Sequence, residues 1–356
     1  MRGVIGVVVL VAGCGGGTSS DLEPGGPDAA SACAIPAQTS YLKTNRTIGK
    51  CPPAASPACS STLFSGPPLL TSDDLQPGAH FVAVSGEYLL AETASMEPLV
   101  VRMHPEDAPV AYSFAAPLAA GQRAVDLDGN YVLTCSTSDC RVFRREGLSL
   151  YELPAPPMTD ATKVVDWLSQ DAVCVVGDGA SCFDGTAWHE LVPKGQRFAA
   201  ASATLSAIWL AGEGGHVALA TWSCVEAIES GTDADLTSIS ADTQRELWAV
   251  VSGKQGALSY VSPEESVSCN VSSTSPVVLR DWGRDWGWDV ADQHDQQWIF
   301  GESSVLRGKP AVDADWCVSE IGEPALDVTS FDCGVAENVR VLTSTRLLGN
   351  AQCALD

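Results

Sequence analysis

The run DWGRDWGWD, residues 281–289, contains the densest set of side chains that could bind a ligand. Flat tryptophan faces stack on sugar rings or hold cations, and aspartate oxygens accept hydrogen bonds from hydroxyl groups. Residues two apart share one face of an extended strand, so the run predicts a ligand-binding surface. The alternative is that the tryptophans fill gaps between structural repeats. The candidate binding residues are Asp281, Trp282, Asp285, Trp286, Trp288 and Asp289.

Acid–base and metal chemistry have weaker support in the sequence. Paired carboxylates in the same run could act as acid and base in a glycosidase. Asp126 and Asp128 could begin a calcium loop, but such a loop supplies ligands over about twelve residues and ends in glutamate. Here the apolar residues 131–133 follow at once and favour a turn that leads into a strand. Because no catalytic triad, phosphate loop or dinucleotide motif is recognisable, we predict no catalytic residue, no metal and no cofactor.

The cysteines predict disulfides. Thirteen are present, and an even number, twelve, follows Cys14. Disulfides are the default for cysteines in an exported chain, and zinc is the alternative, although paired C-x-x-C spacings are missing. Connectivity cannot be derived from sequence in general. Three short loops are plausible: Cys51–Cys59, Cys135–Cys140 and Cys174–Cys182.

The N-terminal residues indicate export. An apolar run of about ten residues follows Arg2, which suits a signal peptide and is too short to span a bilayer. The run ends V-A-G-C, which resembles the lipobox of bacterial lipoproteins. The resemblance implies that residues 1–13 are a lipoprotein signal peptide. It also implies that the Cys14 thiol carries a diacylglycerol thioether, with acyl chains such as palmitate, that anchors the chain to a membrane. An ordinary secretory signal is the alternative.

The resemblance also implies a location in the cell envelope. Gly15, where an aspartate would change the sorting, implies the outer membrane, with the periplasmic or surface face left open. Residues 14–32 are small and polar and predict a lipidated flexible tether. Residues 33–79 are rich in Cys and Pro and predict an irregular segment pinned by disulfides. Residues 80–356 form the main predicted domain.

The charge limits the partners. The chain carries a formal net charge of −24, with 20 Lys and Arg against 44 Asp and Glu. Such a surface repels nucleic acids and anionic lipids, so we predict no nucleic-acid partner. Apolar residues make up 45% of the chain, which indicates that it folds despite this charge.

Repeated hairpin patterns predict the fold. Short apolar runs such as AVCVV, AIWLA and ELWAV end in polar turns, and each is followed by a second short run. Seven such repeats have a mean spacing of about 42 residues, the size of a β-propeller blade. We predict an all-β chain with one propeller of seven blades; six or eight blades, or a β-sandwich, are alternatives. The repeat anchors are residues 89, 132, 174, 209, 248, 298 and 340.

The repeats resemble those of secreted sialidase-like and repeat-lipoprotein propellers. The pattern W-x-x-G-E-x-G from Trp209 carries the likeness, together with an imperfect Asp-box around Asp184 and Trp188. The resemblance implies a scaffold and not an activity, since one fold hosts many functions. It implies a structural Asp-Gly turn at Asp184, with the Trp188 ring packed beneath it.

Taken together, these features predict a membrane-anchored, extracytoplasmic lipoprotein that acts as a non-enzymatic binding or interaction module. Its partners would be the membrane, through the N-terminal lipid, and a protein or glycan ligand. Two alternatives remain. One is a carbohydrate-active enzyme of the glycosidase kind that uses the central opening of the propeller, and the other is a structural or assembly component of an envelope complex.

Overall fold

A computed structural model of the chain describes residues 51–349, with gaps at 53–55, 59–63, 65, 104–108, 242–248, 272–275, 283–294, 309–315 and 333–336. These residues belong to one compact unit, Cys33–Asp356. They are almost entirely β-structure, apart from the short helix α1 (Ser72–Leu75) and three 3-10 turns. No helix in the described ranges has the length and apolar character needed to cross a membrane.

The strands form seven blades, so the predicted seven-bladed propeller is confirmed. Each blade has four antiparallel strands, and blade 2 has a short fifth strand that pairs in parallel at its outer edge. One short strand, β1 (Leu70–Thr71), precedes the first unit. Blade 1 contains β2 (His80–Ser85), β3 (Tyr88–Glu92), β4 (Pro98–Arg102) and β5 (Val110–Ala111); blade 2 contains β6 (Ser113–Phe114), β7 (Arg123–Asp128), β8 (Tyr131–Cys135), β9 (Cys140–Glu146) and β10 (Ser149–Glu152). Blade 3 contains β11 (Lys163–Trp167), β12 (Ala172–Phe183) and the first part of β13 (Trp188–Ala203); blade 4 contains the rest of β13, β14 (Ile208–Gly212), β15 (Val217–Ala220) and β16 (Val225–Ile228).

The remaining strands repeat the same arrangement. Blade 5 contains β17 (Leu236–Ala241), β18 (Ala249–Gly253), β19 (Ala257–Val261) and β20 (Ser266–Asn270). Blade 6 contains β21 (Val277–Trp282), β22 (Asp295–Phe300), β23 (Ser304–Gly308) and β24 (Cys317–Glu320). Blade 7 contains β25 (Asp327–Asp332), β26 (Glu337–Leu342) and β27 (Arg346–Gly349), and β1 completes it.

The ring is closed by strands from both ends of the described chain. The inner strands contact one another in a circle, in the order β2, β7, β11, β13, β17, β21 and β25, and β25 returns to β2. Leu70 of β1 pairs with Leu347 of β27, so the first strand is the outermost strand of the last blade. β1 therefore lies within the segment 33–79 that the sequence assigns as irregular, because two residues carry no readable periodicity.

Blades 3 and 4 share one long strand. The residues from Trp188 to Val192 pair with β12, and those from Phe198 to Ala203 pair with β14. Ahead of this strand, β12 turns back on itself near Gly179, whose φ is +89°. A Cβ there would lie 2.5 Å from the Val192 carbonyl oxygen, so only glycine fits.

The core lies between neighbouring blades. Six of the seven predicted repeat anchors fall in the second strand of a blade, where Leu89, Val132, Cys174 and Trp209 are completely buried. The seventh, Trp248, lies outside the described residues. Alternate residues of these strands pack against the next blade, as the clusters around Trp167 and Trp209 illustrate. Because each blade buries its faces against its neighbours, stability depends on contacts around the whole ring.

The disulfides agree with two of the three predicted loops. Cys135–Cys140 closes the β8–β9 hairpin, and Cys174–Cys182 joins the two halves of β12. The prediction of Cys51–Cys59 was wrong, because Cys51 bonds Cys269 of β20, 218 residues away. Cys51 lies beside an outer strand of blade 5, and Ala58 bridges Val318 of β24 in blade 6, so the assembled ring brings cysteines that are distant in sequence together. Cys224 and Cys317 are also disulfide-bonded.

Candidate functional site

The central channel is the first candidate site. All seven inner strands line it, and it has a volume of about 270 Å³, at or below the lower end for ligand pockets. Its polar lining is divided by position around the ring. Blades 7, 2 and 3 contribute Asp327, Asp126, Asp128 and Lys163, whereas blades 4 and 5 contribute Ser202, Thr237, Ser238 and Ser240.

Lys163 and Asp126 form the ion pair at the centre of the charged side. The Lys163 Nζ lies 2.9 Å from Asp126 Oδ1, and the Val164 amide donates to Asp126 Oδ2 at 2.8 Å. Burial raises the pKa of Asp126, although Lys163 opposes the shift. Burial also works against the charge on Lys163, but Asp126 and Asp327 outweigh it and raise the pKa of the amine. The two side chains therefore form a salt bridge between strands of two different blades.

Asp128 lies two residues after Asp126, at the end of β7. Its Oδ2 accepts a hydrogen bond from the Asp166 amide at 2.9 Å, and its Oδ1 accepts one from the Ser85 hydroxyl at 3.1 Å. Burial is the main cause that raises the pKa of Asp128 to about 7, and the nearby Asp126 and Asp166 carboxylates add to it. This carboxyl therefore changes charge near neutral pH.

The channel carboxylates and hydroxyls share a structural task. Each inner strand is the edge of its sheet, so some of its N–H groups lack a strand partner. Side chains of the preceding blade accept from these groups. In each pair the side-chain oxygen of the first residue accepts a hydrogen bond from the backbone N–H of the second. The pairs are Asp327 with Val84, Asp126 with Val164, Asp128 with Asp166, Ser202 with Ala241, and Ser238 with Val278.

These contacts decide between the alternatives that the sequence left open around Asp126 and Asp128. Both residues lie in β7 and connect blade 2 to blade 3, and the Gly129-Asn130 turn then leads into β8. The favoured interpretation, a turn before a strand, is confirmed. Within the described ranges, no group of His, Cys, Asp and Glu side chains has the arrangement of a metal site. The sequence did not reveal Lys163 as the partner of Asp126, because they are 37 residues apart.

The predicted ligand-binding run falls largely outside the described residues. Asp281 and Trp282 are the last residues of β21 and pair in register with Gln296 and Asp295 of β22. Asp285, Trp286, Trp288 and Asp289 lie in the gap 283–294. The binding surface at this run stays a prediction.

Asp184 occupies a turn, as the resemblance implied. Its Oδ1 accepts hydrogen bonds from the amides of Thr186 and Ala187 at 2.8 and 2.9 Å and from the Thr186 hydroxyl at 2.6 Å. These bonds, with the Thr186 hydroxyl first, hold the pKa of Asp184 well below its ordinary value. The Trp188 ring packs 5.4 Å from that of Phe183. The carboxylate is therefore committed to stabilising the β12–β13 connection.

A second candidate site lies where blades 3 and 4 meet. It is on the front face, defined here as the face where each blade turns from its first strand to its second and from its third to its fourth. Trp222, in the turn between β15 and β16, stacks on the buried Trp167 at 5.3 Å with a 17° angle between the rings. Trp222 remains 39% exposed, and neighbouring Leu205 is 45% exposed. Sequence reasoning did not single out Trp222, because its stacking partner Trp167 lies one blade away.

Comparisons with known proteins agree with the fold. No family model matches the chain, and no curated protein matches it. A solved structure described as "YCF48 bound to D1 peptide" is similar, with a TM-score of 0.57 and 11% sequence identity, over 83% of this chain and 99% of that chain. At this identity the likeness shows a shared β-propeller fold and no more.

Proposed function

We propose that this chain is a membrane-anchored, extracytoplasmic lipoprotein whose propeller acts as a non-enzymatic interaction module. The observation that carries the proposal is that the carboxylates of the central channel hold neighbouring blades together. Asp126, Asp128 and Asp327 each accept backbone or side-chain hydrogen bonds from a neighbouring blade. A catalytic acid–base pair would instead need carboxylate oxygens that are free to contact a substrate. The front face is left as the surface for recognition.

Two further observations support the proposal. The disulfides Cys51–Cys269, Cys135–Cys140 and Cys174–Cys182 suit an oxidising compartment outside the cytoplasm, which is where the leader would direct the chain. The similar propeller YCF48 was solved with a bound peptide. A propeller with this overall fold can therefore hold a protein segment.

The anchor predicts the behaviour of one variant. Replacement Cys14→Ala removes the thiol that would carry the lipid, so we expect the protein to move from the membrane fraction to the soluble fraction and to lose incorporated palmitate. Cell fractionation and labelled-palmitate incorporation measure both effects. Thr18→Ala, in the predicted tether, is the matched control and should stay with the membrane. Membrane association of Cys14→Ala equal to that of the control would contradict the anchor.

The interaction role is tested by cross-linking on intact cells, with the full chain captured from solubilised envelopes. We expect a defined cross-linked partner that is absent from cells lacking the protein. The glycosidase alternative is tested in parallel with a panel of aryl glycosides and the purified protein. Turnover that disappears in Asp126→Asn would overturn the non-enzymatic role, as would the absence of any cross-linked partner.

A further inference from the structure

A cavity opens on the front face between blades 2 and 3. Its volume is about 240 Å³, which is below the usual range for pockets that hold drug-sized ligands. Blade 2 supplies one wall, and the end of β11 with the turn before β12 supplies the other. The cavity therefore has room for a small molecule only. Its polar lining residues are Asn130, Tyr131, Arg144, Arg145, Asp166 and Asp171.

The charges of this cavity are separated by blade. Blade 2 contributes the guanidinium groups of Arg144 and Arg145, and blade 3 contributes the carboxylates of Asp166 and Asp171. Among the described residues, no salt bridge joins the two sets. Arg144 instead pairs with Glu146, outside the cavity. Both of those side chains are about half exposed, so this pair is weak and leaves Arg144 available to a ligand.

The tip of the β7–β8 hairpin holds the two sets of charges apart. On one side, the Asn130 amide donates to Asp166 Oδ2 at 2.9 Å. On the other side, Arg145 Nη2 donates to the Gly129 carbonyl oxygen at 2.7 Å and to Asn130 Oδ1 at 2.9 Å. Asp166 packs so closely against the tip that a Cβ on Gly129 would lie 2.7 Å from its own Cβ. The turn therefore fixes both charged side chains before any ligand arrives.

Holding the turn does not use all the polar groups of the cavity. In the described ranges, no hydrogen bond reaches the second oxygen of Asp166, the Tyr131 hydroxyl or the Asp171 carboxylate. Burial raises the pKa of the Asp166 carboxyl, and the charge on Asp171 adds to the shift. The two carboxylates thus repel each other, as the two adjacent guanidinium groups do on the opposite wall. A cation beside the first pair and an anion beside the second would relieve both repulsions.

We propose that this cavity binds a small zwitterion of the free amino-acid type. Its carboxylate lies between Arg144 and Arg145, and its ammonium group lies between Asp166 and Asp171. The Tyr131 hydroxyl is placed to bond to either group. The proposal goes beyond the interaction role, because it gives the front face a small-molecule site that depends neither on the lipid anchor nor on a protein partner. A neutral sugar is the competing ligand, and it would leave both repulsions in place.

Isothermal titration calorimetry of the purified full chain at pH 7 tests the ligand class. The probes are the standard free L-amino acids, titrated one at a time. The amino acid that binds most tightly is then compared with two of its derivatives, the amide, which lacks the carboxylate, and the N-acetyl form, which lacks the ammonium group. Because each derivative loses charge-assisted hydrogen bonds on one wall, we expect each to bind at least about tenfold more weakly.

Variants assign the binding to the cavity. Arg144→Gln removes one cation and Asp171→Asn removes one carboxylate, and each should weaken binding about tenfold. Asparagine tolerates the left-handed backbone of residue 171, whose φ is +51°, as well as aspartate does, so this change alters the charge and not the turn. Arg197→Gln and Asp233→Asn are the controls, because they make the same charge changes at exposed residues outside the cavity. Both controls should bind like the wild type.

Several results would overturn the inference. These are no binding of any free amino acid, equal binding of the amino acid and either derivative, or equal affinities for Arg144→Gln, Asp171→Asn and the wild type. Binding of glucose or galactose in place of an amino acid, lost in Asp171→Asn, would show a sugar site. The cross-linking experiment is independent of these outcomes. A cross-linked partner without amino-acid binding would leave the interaction role intact, and amino-acid binding without a partner would leave the cavity site intact.

Discussion

Replacement Lys163→Met should be among the most destabilising single changes in the ring. It removes the cation that faces Asp126, whose side chain is only 4% exposed, and leaves a carboxylate with one backbone donor in the channel wall. Removing one partner of a buried pair costs about 3–5 kcal/mol. Because Lys163 keeps 32% of its side chain exposed, we expect the lower end of that range. The free energy of unfolding is measured by urea denaturation at pH 7 with the disulfides intact.

A matched exposed pair provides the control for this variant. Lys254 and Asp235 lie 2.8 Å apart, but their side chains are 60% and 40% exposed. Lys254→Met should therefore reduce the free energy of unfolding far less than Lys163→Met does. The double variant Lys163→Met, Asp126→Asn should recover part of the loss, since the Asp126 charge is then removed together with its partner and only the attraction of Lys163 to Asp327 and Asp128 stays lost. Equal losses for Lys163→Met and Lys254→Met would show that burial of the pair does not matter.

The architecture was predictable because the propeller repeats a local pattern. Each blade's second strand is a short apolar run followed by a turn, and Trp209 and Cys174 mark this position with complete burial. The pairing of β1 with β27 was not predictable, because a two-residue strand has no period and its partner is at the other end of the ring. The disulfide between Cys51 and Cys269 was not predicted, for a related reason. Chain entropy favours short loops, and only the assembled ring brings distant segments together.

The site was less predictable, because the decisive contacts join different blades. Asp126 and Asp128 stood out in the sequence, but their partners Lys163 and Asp166 are 37 and 38 residues away. The register between adjacent inner strands sets these pairs, and no repeat length specifies it to one residue. An alignment of the repeats as propeller blades could have found these contacts. It would place an acceptor side chain on one inner strand opposite a backbone N–H on the inner strand of the next blade.

Asp128→Asn should change how stability depends on pH. The pKa of Asp128 is about 7 in the folded chain and about 4 when unfolded, so between these values the folded state holds a proton that the unfolded state has released. The contribution of Asp128 is therefore most favourable below pH 4, and it is lost as pH rises to about 7. Asparagine has no such proton. Its oxygen can still accept from the Asp166 amide, and its amide group can donate to the Ser85 oxygen.

The wild type should lose stability more steeply than Asp128→Asn between pH 4.5 and 7, with a difference in slope of up to about 1.4 kcal/mol per pH unit. Above pH 7 the two slopes should converge, and the variant should be at least as stable as the wild type. Urea denaturation across this pH range measures both proteins. Asp171→Asn, at an exposed carboxylate, is the control and should leave the slope unchanged. Parallel curves for Asp128→Asn and wild type would mean that Asp128 is ionised throughout, and that Ser85 and the Asp166 amide suffice to hold a charged carboxylate in the channel.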